Sequence, residues 1–406
     1  MLKTLCQNVV SQLETQLSKK SDAKKMIPFE WAKVLLRCFD GDQPVCWLGF
    51  NAPVEIPIAL GYLPFYPELI SGMLAGYDMS ADLVEFVERK FSNYFCCSFH
   101  RCSMASAIKG IYPKPDAILS SSNICDGQVK QLNIFGDIYG IEPVTFEVPY
   151  NYNEKSKKYS IQQLEGIISI FENLSGQKLT DEKLRDSIRI SNQSYDALFR
   201  LNELRKHSPS PFHGARAMNA IYVLMTQLWG LPQAIDLLDR LSSEIEEDEK
   251  NGRVTEEKYR LLVMIPPPTF KNDIYNWLEK EMHANMVMAE LTEATWEKID
   301  EKDPLPGLAG KSMSLPFIGP VENRVKWALK AVKDYNIDAV LHFSHWGCRQ
   351  SSGGVGILSH KFEQAGIPFL NLDMDLIDPR SFSPGQVYTR IQSFIEMLSH
   401  KKEEGI

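Results

Sequence analysis

Apolar and polar positions follow two different rhythms along this chain. From Met1 to Lys25 apolar residues recur at helical intervals, at Leu2, Leu5, Val9, Val10, Leu13 and Leu17. Residues 45–50 then form a short apolar run of the kind a buried strand makes, and residues 54–60 a helix-like segment that stops at Gly61. Residues 81–91 read as a helix and 117–121 as a strand, and the polar stretch Ser122-Asn123-Ile124-Cys125-Asp126-Gly127 turns into a helix ending near Ile138. Residues 143–148 are another strand. This alternation over residues 26–150 predicts a parallel sheet with helices on its faces.

Residues 150–160, rich in Asn, Lys and Ser, read as a linker. Beyond them strand signals vanish for about a hundred residues, and helical periodicity runs through 161–174, 181–204, 215–228 and 232–248, broken by the rigid turn His207-Ser208-Pro209-Ser210-Pro211. A second alternating pattern follows. Strands are predicted at 261–265 (closed by Pro266-Pro267-Pro268), 285–290, 338–343 and 368–372, with helices at 321–335, 354–365 and 385–398. The division is therefore an N-terminal helix with a first α/β unit (1–157), a helical segment (158–255) and a second α/β unit (256–406).

Composition narrows the function classes. The 406 residues are 44% hydrophobic and 24% charged with net charge −8, an ordinary globular balance that lacks the basic footprint of a nucleic-acid binder. No apolar stretch approaches the ~20 residues of a membrane helix, and Met1 to Lys25 has no unbroken apolar run of signal-peptide type. A cytoplasmic location without membrane or nucleic-acid partners is the expectation. Eight cysteines in such a chain are then core residues, redox groups, or metal or cluster ligands, not a disulfide framework.

There is no Gly-x-Gly-x-x-Gly after a strand, no His-Glu-x-x-His and no Cys-x-x-Cys. Gly307-Leu308-Ala309-Gly310-Lys311-Ser312 imitates a phosphate loop, but its glycines are too close together. Cys125 and Cys348 each fall just past a predicted parallel strand, where open α/β sheets place ligands. Cys97 lies in Tyr94-Phe95-Cys96-Cys97-Ser98-Phe99-His100-Arg101-Cys102. One cysteine from each of three loops can converge on an iron–sulfur cluster, for which thiolate is the usual protein ligand, or each can be a buried core residue. Cys6, Cys38 and Cys46 fall in helix or strand patterns and read as core; Cys96 and Cys102 fit either role.

The ordered set Cys97-Ser98-Phe99-x-Arg101, Asn123-Ile124-Cys125-Asp126-Gly127, His345-Trp346-Gly347-Cys348-Arg349-Gln350, Asp373-x-Asp375 and Arg390-Ile391-Gln392-Ser393-Phe394 resembles the 2-hydroxyacyl-CoA dehydratase D-component family, related to benzoyl-CoA reductase subunits. The likeness runs from about residue 40 to the C-terminus and takes in Trp47, Tyr66-Pro67-Glu68, Ser208-Pro209-Ser210-Pro211 and Glu257-Lys258-Tyr259-Arg260. It implies an α/β fold of two Rossmann-like parallel-sheet domains joined by a helical segment. It also implies a [4Fe–4S] cluster held by Cys97, Cys125 and Cys348, a homologous second subunit, an ATP-dependent iron–sulfur activator and an acyl-CoA substrate. A flavin is compatible with the resemblance but not readable from the residues. The implied reaction is loss of water from a 2-hydroxyacyl-CoA through a ketyl radical anion, because the hydrogen on carbon 3 is not acidic enough for an ordinary general base.

One departure stands out. Substrate-binding subunits of the family carry a serine shortly before a Pro-x-Glu segment, whereas Leu48-Gly49-Phe50-Asn51-Ala52 precedes Pro53-Val54-Glu55 here. The surroundings of Cys97 are similar to the electron-relaying subunit, those of Trp47 and Glu68 to the substrate-binding one. Glu68 reads either as an aid to departure of the hydroxyl or as a surface carboxylate. His345 and Trp346 flank a ligand position and read as substrate or ligand contacts or as packing. Ser351-Ser352-Gly353-Gly354 opens a helix, as an anion site for CoA phosphate or as plain capping. Met282, Met286 and Met288 read as packing. The alternatives carried are a benzoyl-CoA-type or double-cubane-type reductase subunit and, from another class, a non-catalytic two-lobed small-molecule binding protein.

Overall fold

The computed structural model describes residues 1–404 except 20, 21, 93, 95, 266, 294 and 295, so Phe95 and Pro266, named above, lie outside the described residues. Strands β1 (Val45–Leu48), β2 (Leu63–Phe65), β3 (Ala117–Ser121) and β4 (Val144–Phe146) form one sheet in the order β2-β1-β3-β4, with every pairing parallel. Strands β5 (Tyr259–Val263), β6 (Ala284–Ala289), β7 (Ala339–His345) and β8 (Phe369–Met374) form a second parallel sheet in the order β6-β5-β7-β8. Counted within each half the two orders are identical, so one α/β topology occurs twice without a matching sequence repeat. In both halves chain order reverses beside the first strand, which makes the carboxyl ends of β1/β3 and β5/β7 the ligand-binding crevices of such sheets.

Strands β1, β3, β5, β6 and β7 are buried along their whole length. Helices on both faces explain why they read as unbroken apolar runs. β7 is longer than predicted and ends in the buried polar residues Ser344 and His345. β2 was not predicted, since three residues with Pro64 among them carry no period. The stretch read as a linker is instead entered by the helix Glu154–Ser175, which Asn153 caps by accepting from the Ser156 N–H at 3.0 Å. Five further helices longer than one turn escaped prediction: Ala23–Asp40, Pro67–Gly76, Ser98–Ile108, Ile274–Glu281 and Pro304–Met313. Ser98–Ile108 carries no apolar stripe, because its buried residues include Ser98, His100, Arg101, Ser103 and Ser106.

One apolar cluster joins the first sheet to the helical segment and also takes in Ile299, Leu308, Met313 and Phe317, while two more cover the opposite faces of the second sheet. Trp47 belongs to the first, ringed by Phe65, Tyr112, Phe135 and Tyr139 with its Nε1–H donating to Pro113 O at 3.2 Å. Among the described residues no helix is long and apolar enough to cross a membrane.

The imitation phosphate loop lies within the helix Pro304–Met313, and buried Lys311 reaches buried Glu55, Nζ to Oε1 at 2.5 Å, with Ser191 Oγ donating to the same oxygen at 2.8 Å. Removing one partner of a buried ion pair leaves an uncompensated charge, so Lys311→Met is expected to destabilise the protein by about 3–5 kcal/mol. Urea unfolding of the variant beside Glu55→Gln/Lys311→Met checks this: the double variant should recover part of the loss.

Candidate functional site

The three cysteines singled out by the sequence occupy the same local position. Each is the residue that precedes a helix: Cys97 before Ser98–Ile108, Cys125 before Asp126–Tyr139 and Cys348 before the single turn Arg349–Ser352. Cys125 and Cys348 follow β3 and β7, the equivalent third strands of the two halves. All three line one cavity of about 690 Å³ with walls from both halves of the chain. At the two longer helices, free first-turn N–H groups and the positive end of the helix dipole favour negative charge on sulfur.

The loops are tied to one another. Asn123 (φ 71°) and Gly347 (φ 75°) adopt the left-handed conformation that turns the chain back after each strand. Arg349 Nη1 lies 2.6 Å from Asp126 Oδ2, and Gln350 Nε2 donates to Asn123 O at 3.2 Å, which joins the Cys348 loop to the Cys125 loop. Buried Arg324 pairs with Glu290 at 2.6 and 2.7 Å and donates to Gln350 O at 2.7 Å. The Cys97 helix is held by Asp375, whose Oδ1 accepts from Ser98 Oγ at 2.6 Å and from the Ile377 and Asp378 N–H groups at 2.9 and 2.8 Å.

A half-buried acid, Glu68, and a buried base, His100, stand beside the sulfurs. Glu68, in the first turn of the helix Pro67–Gly76, lies 3.5 Å from His100 Nε2 and accepts from Gln128 Nε2 at 2.6 Å. Burial works to raise the Glu68 carboxyl, but the His100 charge and the hydrogen bonds from His100 and Gln128 outweigh it and hold the group ionised below its usual range. Burial likewise opposes charge on His100, yet Glu68 and the neighbouring sulfurs raise it well above the usual imidazole range. His100 Nε2 is also 3.8 Å from Cys125 Sγ, and Nδ1 3.8 Å from Cys96 Sγ. A Cβ on Gly127 would come within 2.7 Å of the His100 ring, so glycine there lets the ring close on the Cys125 helix.

His345 is the opposite case. Burial lowers it, Asp375 opposes, and the charges of His100 and Arg101 push the same way as burial, so the ring is neutral. Leu376 N–H donates to its Nδ1 at 3.2 Å, which leaves the proton on Nε2, 3.1 Å from Cys97 Sγ. His345 is thus a donor to the cysteine sulfur. Ser351 and Ser352, considered above as an anion site, spend their hydroxyls inside the loop: Ser351 Oγ accepts from His345 N–H at 2.9 Å, and Ser352 Oγ donates to Cys348 O at 2.7 Å. Trp346 is exposed. Phe50 lines the cavity ahead of Pro53, where the family resemblance would put a serine.

Three thiols are a donor set that a [4Fe–4S] cluster would take. Among the described residues no three His, Cys, Asp or Glu side chains lie close enough to hold one metal ion. In a [4Fe–4S] cluster each cysteine binds a different iron, so three thiols spread around one cavity are the expected arrangement. Burial pushes the Cys97 thiol up, so a thiolate there would need a positive counter-charge, which a bound metal would supply. Cys6, Cys38 and Cys102 are buried thiols pushed up to about 12, and Cys46 is raised by burial as well, in keeping with core residues. Sequence reasoning assigned no role to His100, Gln128 or Asp375. The available signal for His100 was its place one helical turn beyond Cys97.

The profile of the family described as 2-hydroxyglutaryl-CoA dehydratase, D-component, matches residues 50–398. The chain is 29% identical over 378 residues to the (R)-phenyllactyl-CoA dehydratase alpha subunit of Clostridium sporogenes, covering 89% of this chain and 91% of that one. It is 27% identical over 319 residues to a benzoyl-CoA reductase subunit of Thauera aromatica, covering 71% and 72%. Its likeness to the (R)-phenyllactyl-CoA dehydratase beta subunit of Clostridium sporogenes is lower, 22% over 362 residues, covering 84% and 91%.

Proposed function

The chain belongs to the 2-hydroxyglutaryl-CoA dehydratase D-component family, and on that premise we propose that it is the iron–sulfur, alpha-type subunit of a lyase that removes water from a 2-hydroxyacyl-CoA to give a 2-enoyl-CoA. The observation that carries the reading is the meeting of Cys97, Cys125 and Cys348, each at the head of a helix, at one cavity that Glu68 and His345 also line. The greater likeness to the alpha than to the beta subunit of one dehydratase favours the alpha type, with a homologous second subunit as partner.

Cys97, Cys125 and Cys348 would hold the [4Fe–4S] cluster. When bound, it supplies one electron to the thioester carbonyl, so that the neighbouring hydroxyl can leave and the hydrogen on carbon 3 becomes acidic. The chain's own residues do the rest. His345 directs its Nε2–H at the Cys97 sulfur and so favours negative charge there. Glu68 faces the cavity as a carboxylate whose partner, His100, carries a proton; the pair can pass that proton to the departing hydroxyl and take one back. Ile124, Phe99 and Phe50 in the same lining offer water no hydrogen-bond partner from their side chains.

The test is a reaction. With the second subunit, an ATP-dependent iron–sulfur activator and a low-potential reductant, the complex is expected to dehydrate a 2-hydroxyacyl-CoA and leave the 3-hydroxy isomer untouched, since the isomer's acidic hydrogen needs only a base. ATP hydrolysed per product should fall towards zero over many turnovers, because the electron returns. A fixed ATP cost per product would instead indicate a reductase of the benzoyl-CoA type. An active isolated chain would remove the need for a partner.

A further inference from the structure

We propose that the cavity beside the three cysteines selects 2-hydroxyacyl groups with a large apolar tail, aryl or branched alkyl, and rejects those that end in a carboxylate. The inference rests on the dehydratase reading above and names the acyl class that this site takes.

Apart from Glu68, Gln128, His345, Gln350 and Ser351, the side chains around the three sulfurs are apolar. Ile124 precedes Cys125, Phe99 follows Cys97 by two residues and meets the His345 ring edge-on at 5.4 Å, Leu376 hydrogen-bonds His345, and Phe50, Tyr222 and Phe317 complete this part of the lining. At about 690 Å³ the cavity lies within the ~300–1,000 Å³ range of ligand sites. Its depth beside Glu68 depends on Gly72, one turn along the same helix: a Cβ there would come within 2.7 Å of the Tyr222 hydroxyl and 3.4 Å of the Phe99 ring. Tyr222 spends that hydroxyl on Leu69 O at 2.8 Å, leaving its ring as an apolar wall.

Charge decides against a dicarboxylic substrate. The lysines and arginine of the lining, Lys24, Arg216 and Lys271, are exposed side chains, at which a carboxylate would stay in water. Beside the sulfurs the cavity wall carries the Glu68 carboxyl group, which would repel a second carboxylate, and the Gln128 amide there is already spent on donating to Glu68 at 2.6 Å. A carboxylate buried among these walls would have lost its water without gaining a partner.

Binding of three thioesters that lack the hydroxyl, and so cannot react, separates the cases. Calorimetric titration of the full chain, purified anaerobically with its co-expressed homologue, is expected to show 3-phenylpropionyl-CoA bound about tenfold or more tighter than propionyl-CoA or glutaryl-CoA. Equal or tighter binding of either of the latter overturns the proposal. Gly72→Val should bring the phenylpropionyl-to-propionyl ratio towards one. Should that variant not fold, Met73→Lys, at a half-buried position in the same wall, is expected to narrow the gap between glutaryl-CoA and phenylpropionyl-CoA, and an unchanged gap overturns the proposal. Binding of none of the three overturns the thioester reading, and the selection with it. Tight phenylpropionyl-CoA binding without dehydration of any 2-hydroxyacyl-CoA leaves the selection standing and overturns the reaction.

Discussion

Alanine at Cys97, Cys125 or Cys348, one at a time, is expected to take anaerobically purified protein from about four irons per chain to nearly none and to abolish its brown colour. Each of the three heads a helix at the wall of the shared cavity, so none replaces another. Cys102→Ala should keep its iron, because that thiol is fully buried in a helix and pushed up to about 12 by burial. Cys96→Ala should keep it too, because Cys96 is outside the cavity lining, although its sulfur lies 3.8 Å from His100. Full iron in the three variants with loss in Cys96→Ala or Cys102→Ala would reverse the assignment. A colourless protein with one zinc would end the redox reading.

Glu68→Gln should lower kcat by about 10²–10⁴-fold, the usual worth of a positioned acid–base group, in protein with an unchanged iron content. The amide fills the same space and can still meet Gln128, so packing survives while the charge that holds the proton on His100 is lost. Reading kcat and iron on the same preparation separates this from a damaged cluster site. A variant with full kcat would reduce Glu68 to part of the wall.

Much of the architecture was legible from the chain. Runs such as residues 117–121 and 338–343 lie between helices, so burial on both faces writes itself as continuous apolar sequence. Among what escaped were β2, with three residues, and the helix Ser98–Ile108, on whose inner side Ser98, His100 and Arg101 pair with the distant Asp375, Glu68 and Glu88.

The same division runs through the site. That Cys125 and Cys348 come just after strands is a local matter, settled by where an apolar run ends and a turn residue begins, and the sequence by itself determined it. Whether a side chain there is charged, neutral or a donor depends on partners far away in the chain. Ser98 and Asp375 are 277 positions apart yet 2.6 Å from each other. His345 lies 248 positions from the Cys97 sulfur it touches. His100 and His345 are both buried, but one is held charged by Glu68 while the other is left neutral. Hydrophobic period specifies which face of an element is buried, and so the fold. Electrostatic state falls off with distance through space and not along the chain, so only the tertiary structure decided which of two buried histidines carries the proton.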